Sequence, residues 1–347
     1  MIDYLVVGLG LAGMSFCETL RRNNKTFRVI NDRSQSSSRV AGGLYNPIIL
    51  KRFTLSWKAD EQLSVAMDFY SQLERFLGIQ FDEKLDVLRK FASIQEQNLW
   101  FEAADKNQLK HYLDAQIISN NNPSLKIPFG FGKVLHTGKL NTETLLNAYT
   151  EWLKYEEQID LSTFDYDNLQ ILPEYVVYKG HRAKQIVFAE GFGLMQNPYF
   201  NYLPMLGSKG EYVIIEVKGL NERKIIKSSL FLIPLGSDLY KVGATYNRNQ
   251  KDHRTTEEAK NEMMKKLNSL LNCDYKIVDQ VAGVRPTVTD RRPLVGRHPK
   301  HSNLWVLNGF GSHGIMIAPW ASLALFERIE SGKPLLLEMD VERFRPI

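Results

Sequence analysis

A glycine pattern near the start of the sequence constrains the fold more than any other feature. The segment "VVGLGLAG" places Gly8, Gly10 and Gly13 in GxGxxG spacing. The apolar run "YLVV" before it predicts a buried strand, "LAGMSFCETLRR" after it predicts a helix, and "FRVIND" predicts a second strand. This βαβ opening is typical of an α/β fold with a parallel sheet whose first turn binds a dinucleotide.

Each glycine of this turn has a role if a pyrophosphate is bound there. Gly8 permits the tight turn, Gly10 lets the backbone approach the phosphates, and Gly13 lets the helix pack closely on the strand. The helix N-terminus then faces the anion. The alternative is a glycine-rich turn without a ligand. The predicted cofactor contacts of the turn are Gly8, Leu9, Gly10, Leu11, Ala12 and Gly13.

The end of the second strand is the expected place for an acidic side chain that binds the ribose. Asn31 falls at the usual spacing, and Asp32 follows one residue later. We favour Asp32, because the connection before the strand is long enough to absorb one residue. The alternative is that Asp32 is a solvated turn residue and that Asn31 binds the ribose instead. An acid here disfavours a cofactor with a 2′-phosphate. The predicted cofactor contacts of this segment are Asn31, Asp32 and Arg33.

Two further segments contain glycines next to predicted strands. The loop "SSSRVAGGLYNP" has backbone amides that can turn toward a flat ring or a phosphate, and its alternative is a flexible surface loop. The segment "AEGFG" ends a later apolar strand and adds Gly191 to the predicted contacts. The contacts predicted from the first loop are Ser38, Arg39, Ala41, Gly42, Gly43 and Leu44.

The segment "LNGFGSHGIMIAPW" predicts a second junction between a strand and a helix. Its free amides and helix dipole suit charge that builds up on a reduced isoalloxazine ring, whereas a nicotinamide enzyme has no evident need of it. The alternative is an ordinary tight turn. His313 is open to three interpretations: a cofactor contact, a substrate contact or a capping residue. The predicted contacts here are Gly309, Gly311, Ser312, His313, Gly314 and Ile315.

Arg285 lies in "VAGVRPTVTD", where an apolar strand leads into a proline. The strand gives the guanidinium a definite direction, and Pro286 stiffens the chain behind it. An arginine held in this way either clamps a carboxylate or phosphate, or forms a structural ion pair with Asp290 or another carboxylate.

Composition excludes some classes of protein. A formal net charge of +5 on 347 residues does not by itself indicate nucleic acid binding. Cys17 and Cys273 show no pairing or metal-ligand spacing, so we expect no disulfide scaffold and no metal site. The sequence has neither a signal-peptide pattern nor an apolar run long enough to span a membrane, so we expect a cytoplasmic protein without a membrane partner.

The middle of the chain predicts helices first and an antiparallel sheet later. Residues 55–112 are predicted to be helical, and residues 156–180 are polar with little strand signal. The segments "GEYVIIEV", "SSLFLIPLG" and "LYKVGATY" predict antiparallel strands. Asn141 or Thr142 is expected to cap one helix and Thr255 or Thr256 another.

Taken together, these segments resemble the blocks of the D-amino-acid oxidase (DAO) family of flavoproteins, and glycine oxidases within it, in the family's order. Besides the segments above, "KGEYVIIEV", "FLIPLGSDLYKVGATY" and "AGVRPTVTDRRPLVGRHP" carry the resemblance. It implies non-covalent FAD and a discontinuous α/β fold of the GR2 type. The implied FAD-binding domain, Rossmann-like, is formed by residues 1–50, 135–208 and 276–347. The implied substrate domain, with a mixed or antiparallel sheet and helices, is formed by residues 51–134 and 209–275.

The resemblance also implies that Arg285 binds the substrate carboxylate. Phe231 stands where glycine oxidases look to carry a tyrosine, and Ser312 where they look to have a second arginine. Tyr246 is a candidate to supply the missing phenol hydroxyl to the substrate. The alternative is that Tyr246 is an aromatic residue of the sheet that packs in the core. The predicted catalytic group is therefore Arg285, Tyr246 and Ser312.

The expected function is FAD-dependent oxidation of a small amine next to a carboxylate, giving an imine that hydrolyses to an oxo acid. The acceptor that reoxidises the flavin, oxygen or another, and the oligomeric state stay open. "GFGSHG" and "AGGLYNP" also resemble the oxidase domain of the bifunctional tRNA 5-methylaminomethyl-2-thiouridine enzyme. The alternatives are thus a modified tRNA uridine as substrate, a 2-hydroxy acid, or a flavin-binding protein without activity.

Overall fold

Two eight-stranded sheets organise residues 1–344, the part of the chain that this computed structural model describes. The strands are β1 (Ile2–Val7), β2 (Phe27–Ile30), β3 (Leu44–Tyr45), β4 (Ile48–Ile49), β5 (Thr54–Leu55), β6 (Asp82–Lys84), β7 (Val87–Lys90), β8 (Leu113–Ile118), β9 (Phe131–Val134), β10 (Gly138–Leu140), β11 (Ile159–Asp160), β12 (Leu169–Ile171), β13 (Val176–Tyr178), β14 (His181–Phe188), β15 (Ser208–Glu216), β16 (Ile225–Lys227), β17 (Phe231–Gly236), β18 (Leu239–Gly243), β19 (Lys276–Arg285), β20 (Leu294–Arg297) and β21 (Leu304–Asn308). The helices are α1 (Leu11–Arg22), α2 (Ser37–Val40), α3 (Ala59–Leu77), α4 (Ile94–Ala104), α5 (Thr142–Tyr155), α6 (Glu257–Asn268) and α7 (Gly314–Ser331).

The first sheet has a parallel centre in the order β11-β2-β1-β14-β21. Strand β1 is buried on both faces: Tyr4 and Val6 pack in the core that includes α1, α5 and α7, and Leu5 and Val7 pack in the opposite core. This two-sided burial explains the continuous apolar run at the start of the chain. The predicted βαβ opening is confirmed.

The second sheet has the order β19-β15-β18-β17-β16-β7-β9-β8, and its β7–β16 pair is parallel while its other pairs are antiparallel. One face packs against Met263 and Leu267 of α6. The opposite face turns toward the first sheet. It carries Tyr212, Gly243 and Phe231, which lie directly opposite one another on neighbouring strands and so form one register row across the sheet. The predicted antiparallel strands are confirmed, and this second face forms one wall of the cavity described below.

The predicted helix caps are confirmed. Asn141 accepts a hydrogen bond from the Thr144 amide at 3.1 Å, and Thr256 accepts one from the Ala259 amide at 3.2 Å. Each cap satisfies an amide that has no partner within its helix.

Two local predictions are wrong. The stretch 55–112, predicted to be helical, also contains β6 and β7, because α3 ends at Gly78 in the left-handed conformation and β7 pairs with β9 and β16. The polar stretch 156–180 contains β12 and β13, which form an antiparallel pair beside β14. In both cases pairing with distant strands outweighs the local sequence pattern.

Strand β19 lies in the second sheet, paired with β15 over its whole length. The predicted domain boundary at residue 276 would separate β19 from this partner. We therefore propose that the substrate region extends to Arg285, while the other predicted segments keep their assignment. In the described residues, both cysteines are free, and no helix combines the length and apolar character needed to cross a membrane.

The glycine turn yields a test of the packing. A Cβ at Gly13 would lie 2.0 Å from the Gly8 carbonyl oxygen, so we expect Gly13→Ala to lower the free energy of unfolding by about 1–3 kcal/mol, measured by urea titration. The matched control is Gly193→Ala, whose Cβ would be 3.5 Å from its nearest neighbour, and which should change stability by less than about 0.5 kcal/mol. Equal stability of the two variants would contradict this account of the packing.

Candidate active site

A cavity of about 570 Å³ separates the glycine turn and the start of α7 from the second sheet. It brings together residues that are as far apart in sequence as Gly8 and Ile315. The sequence-predicted residues that line it are Gly8, Leu9, Gly10, Leu11, Ala12, Asn31, Asp32, Ser38, Ala41, Gly42, Gly43, Leu44, Gly191, Tyr246, Arg285, Gly311, Ser312, His313, Gly314 and Ile315.

The glycine turn is shaped by contacts that leave no room for side chains. Gly8 has a φ of +95°, and a Cβ there would lie 2.5 Å from the Ala189 carbonyl oxygen. At the helix start, the Leu11 amide donates to Ser38 Oγ at 3.1 Å. This hydrogen bond holds the serine loop after β2 against the first turn of α1.

Asn31 and Asp32 both line the cavity, but their hydrogen bonds differ. Asn31 Oδ1 accepts from the Leu9 amide at 3.2 Å, which ties the end of β2 to the glycine turn. Asp32 is exposed, and its Oδ1 accepts from the Ser34 amide at 2.9 Å. Asp32 is thus ordered by a turn while its remaining oxygen is free to accept a hydrogen bond from a ligand.

Glu190, which the sequence analysis missed, is a second acid at this end of the cavity. It accepts hydrogen bonds from the Tyr166 hydroxyl and, at 2.8 Å, from Asn197 Nδ2. Burial raises the pKa of Glu190 to about 7, and the nearby charge of Asp32 acts in the same direction, against the effect of the two hydrogen bonds. Its position just after β14, at the carboxyl edge of the parallel sheet, was the available signal.

The start of α7 forms the middle of the cavity wall. His313 is the N-cap residue, but its side chain makes no capping hydrogen bond, so the capping interpretation is wrong for its ring. The ring is exposed to the cavity and otherwise enclosed by protein, and this burial lowers the pKa of His313, which favours the neutral imidazole. Ser312 is exposed beside it.

Arg285 ends β19 and lies over β15. A Cβ at Gly210 would be 2.1 Å from guanidinium Nη2, so the glycine provides the space that the guanidinium occupies. Nη1 donates to the Thr245 carbonyl at 3.4 Å, and the guanidinium carbon lies 5.7 Å from the centre of the Tyr246 ring. These contacts orient the side chain without neutralising its charge.

The alternative of a structural ion pair for Arg285 is wrong. Asp290, the expected partner, accepts instead from Arg343 Nε at 2.8 Å. Among residues 1–344, Arg285 forms no ion pair with a carboxylate. A cation that is oriented by neutral groups and lines a cavity is therefore available to an anionic ligand.

The aromatic residues of the second sheet also face the cavity. Tyr246 is 54% exposed and lines the cavity, so the core interpretation of this residue is wrong. Phe231 lies on the wall beside Lys227, a residue that the sequence analysis missed. Tyr212 is a further missed residue, and a Cβ at Gly42 would lie 3.2 Å from its hydroxyl. No local motif marks these positions, because only the strand register brings them to one face.

Four predicted contacts lie outside the cavity lining. Gly13 packs behind the turn against Gly8, and a Cβ at Gly309 would lie 2.6 Å from Val288 Cγ2, so both glycines serve packing. Arg33 points outward in an exposed left-handed turn. Arg39 donates to Asn147 Oδ1 on α5, which holds α2 against that helix.

The residues around the cavity fit the FAD that the family resemblance implies. Two helix N-termini face one space, and their amides suit the pyrophosphate and the carbonyl oxygens of a flavin. Two acids, Asp32 and Glu190, lie at one end, where ribose hydroxyl groups need acceptors. The described residues contain no cluster of His, Cys, Asp and Glu side chains that could hold a metal ion.

Comparisons with known proteins extend these observations. The family described as FAD dependent oxidoreductase (DAO) matches residues 3–328. The bifunctional tRNA 5-methylaminomethyl-2-thiouridine biosynthesis protein MnmC of Azoarcus sp. is 25% identical over 180 residues, which is 46% of this chain and 28% of that protein. Glycine oxidase of Pseudomonas aeruginosa is 25% identical over 162 residues, 45% of this chain and 44% of that enzyme. The chain thus spans less than half the length of either relative.

A solved structure shows the same fold over nearly the whole chain. Glycine oxidase from Geobacillus kaustophilus superimposes with a TM-score of 0.81 at 17% identity, covering 99% of this chain and 97% of that enzyme. This similarity shows that the two chains share a mixed α/β fold. Since the family pattern extends over almost all of the described residues, the chain belongs to the DAO family of FAD dependent oxidoreductases.

Proposed function

We propose that this enzyme oxidises an amine whose carbon also carries a carboxylate, and that Arg285 binds this carboxylate. The observation that carries the proposal is the Arg285 guanidinium, which lines the cavity and has no ion-pair partner among residues 1–344. A two-pronged guanidinium–carboxylate contact fixes both the position and the orientation of a small substrate. The carbon to be oxidised is thereby held at one place in the cavity.

The other cavity residues are proposed to hold FAD. The glycine turn binds the pyrophosphate, Asp32 and Glu190 accept hydrogen bonds from the ribose, and the segment from Gly311 to Ile315 contacts the pyrimidine side of the ring. When bound, the flavin accepts two electrons and the hydrogen of the substrate C–H bond. The amine loses a proton as the imine forms, and water then releases an oxo acid and ammonia or an amine.

The neutral state of His313 is compatible with either of its remaining roles. A neutral imidazole at the start of α7 can donate one hydrogen bond to a cofactor or substrate oxygen without adding a positive charge. The backbone amides of α7 then supply the favourable electrostatic environment at the ring.

A panel of electron donors tests the proposed reaction. Anaerobic bleaching of the flavin should occur rapidly with at least one amino acid or N-substituted amino acid, and slowly or not at all with 2-hydroxy acids. Reduction only by tRNA that carries carboxymethylaminomethyl-uridine would favour the function named for the MnmC relative, and binding of that tRNA should then weaken strongly with added salt. A flavin that no donor reduces would contradict the proposal.

Replacement of Arg285 tests the carboxylate contact. We expect Arg285→Met to weaken binding of a simple carboxylate such as butyrate by about 2–5 kcal/mol, because one partner of a charge-assisted contact is removed. Calorimetry on the FAD-loaded enzyme measures this loss. The matched control is Arg291→Ala, which removes an exposed arginine outside the cavity and should leave the dissociation constant unchanged. Equal affinities of the Arg285→Met and parent enzymes would refute the assignment.

Glu190 yields a pH-dependent prediction for the apoprotein. Because burial raises the pKa of Glu190 from 4.5 to about 7, the folded state binds more protons than the unfolded state between these values. The contribution of Glu190 to stability should therefore fall as the pH rises from 4.5 to 7. Glu190→Gln removes this titration, so the unfolding free energy of the parent relative to this variant should decrease over that interval in urea titrations. A constant difference would contradict the raised pKa.

A further inference from the structure

Lys227 is a second cation in the cavity wall. It is the last residue of β16 and lies directly opposite Phe231 of β17, so both side chains project from the same face of the sheet. Lys227 is half-buried, and both residues line the cavity. The register row continues through Gly243 to Tyr212, so the face that carries Lys227 is also the face that positions Arg285 over Gly210.

The charge of Lys227 is not balanced by the described residues. Its Nζ lies 4.3 Å from the centre of the Phe231 ring, and it forms no hydrogen bond or ion pair with residues 1–344. The adjacent residue on β7, Arg89, already binds Glu96 at 2.6 Å. Burial, with the positive charges of Arg89 and Lys266, lowers the pKa of Lys227 to about 8. An anion in the cavity would relieve this unfavourable environment.

The sheet fixes the approximate separation of the two cations. The guanidinium of Arg285 lies over β15, and the ammonium of Lys227 leans over Phe231 on β17, two strands away. Two strand spacings correspond to about 10 Å across the sheet, and Gly210 lies two residues, about 7 Å, from Tyr212 along β15, so the two cations are about 12 Å apart. If each cation makes one charge-assisted hydrogen bond of about 2.8 Å, about 6 Å remains between the two carboxylate oxygens that accept these bonds from a bound molecule. Aspartate, glutamate and N-carboxymethyl amino acids have acidic groups at about this separation.

We propose that Lys227 binds a second acidic group of the substrate, so that this enzyme prefers amino acids with two acidic groups. The inference rests on the proposed function, since it places the first carboxylate on Arg285. The Phe231 ring supports the ammonium through its face, at 4.3 Å from Lys227 Nζ. Lys51 also lines the cavity, but it is exposed and has no aromatic ring to support it.

Two non-oxidisable ligands of equal carbon number, succinate and butyrate, test the proposal without turnover. Calorimetry on the FAD-loaded parent enzyme should give a dissociation constant at least about tenfold lower for succinate than for butyrate. Lys227→Met should remove this preference, and Lys227→Arg should retain it because the positive charge is kept. The matched control is Lys224→Met, which removes an exposed lysine beside the same strand, outside the cavity, and should leave the preference intact.

The outcomes separate this inference from the proposed function. Equal affinity of the parent enzyme for succinate and butyrate overturns the role of Lys227, and so does a preference that survives in Lys227→Met. Both results can occur while Arg285→Met still weakens binding of both acids, in which case the proposed function stands. Failure of Arg285→Met to weaken either acid refutes the first carboxylate contact instead. The comparison in the parent enzyme needs no variant, so equal affinities overturn the proposal even if a substitution impairs folding.

Discussion

The close contact between the glycine turn and the start of α1 is the constraint on which the cavity depends. Gly8 and Gly13 touch through backbone atoms, and Gly8 also meets the Ala189 carbonyl at the end of β14. Two strands of the first sheet, β1 and β14, therefore converge with α1 without intervening side chains. This convergence opens the helix N-terminus toward the cavity and brings Glu190, one residue beyond Ala189, to the same edge of the sheet. A larger residue at either glycine would separate these elements.

The cavity has acidic groups at one end and basic groups at the other. Asp32 and Glu190 follow strands of the first sheet, whereas Arg285 and Lys227 end strands of the second sheet. Hydrogen bonds between Lys241 Nζ and the carbonyls of Val40 and Ala41, both at 3.1 Å, attach the loop of the first sheet to the second. The shifted pKa values of Glu190 and Lys227 have the same cause, since burial disfavours the charged form of each group. This polarity suits the two molecules of the proposed function: the ribose hydroxyl groups of FAD at the acidic end and an anionic substrate at the basic end.

Sequence patterns predicted the elements whose signal is local. The βαβ opening, the caps at Asn141 and Thr256 and the antiparallel strands all follow from short-range periodicity and turn chemistry. For Arg285 the sequence left two interpretations, and the ion pair is excluded because Arg285 pairs with no carboxylate among residues 1–344, while the binding of an anionic ligand stays a proposal. The strands β7, β12 and β13 were missed because their stability comes from distant partners, which no local window contains.

By itself, the sequence determined that the chain has a βαβ unit with a GxGxxG turn, a second glycine-rich helix start and a strand-held arginine, because spacing along one strand or turn is enough to specify them. Only the tertiary structure decided that half-buried Glu190 lies at the same end of the cavity as Asp32, that Tyr246 faces the cavity rather than the core, and that Lys227 shares a face with Arg285. The physical reason is that burial and strand register are set by non-local pairing, and a shift of one residue in register would move Lys227 to the opposite face of the sheet.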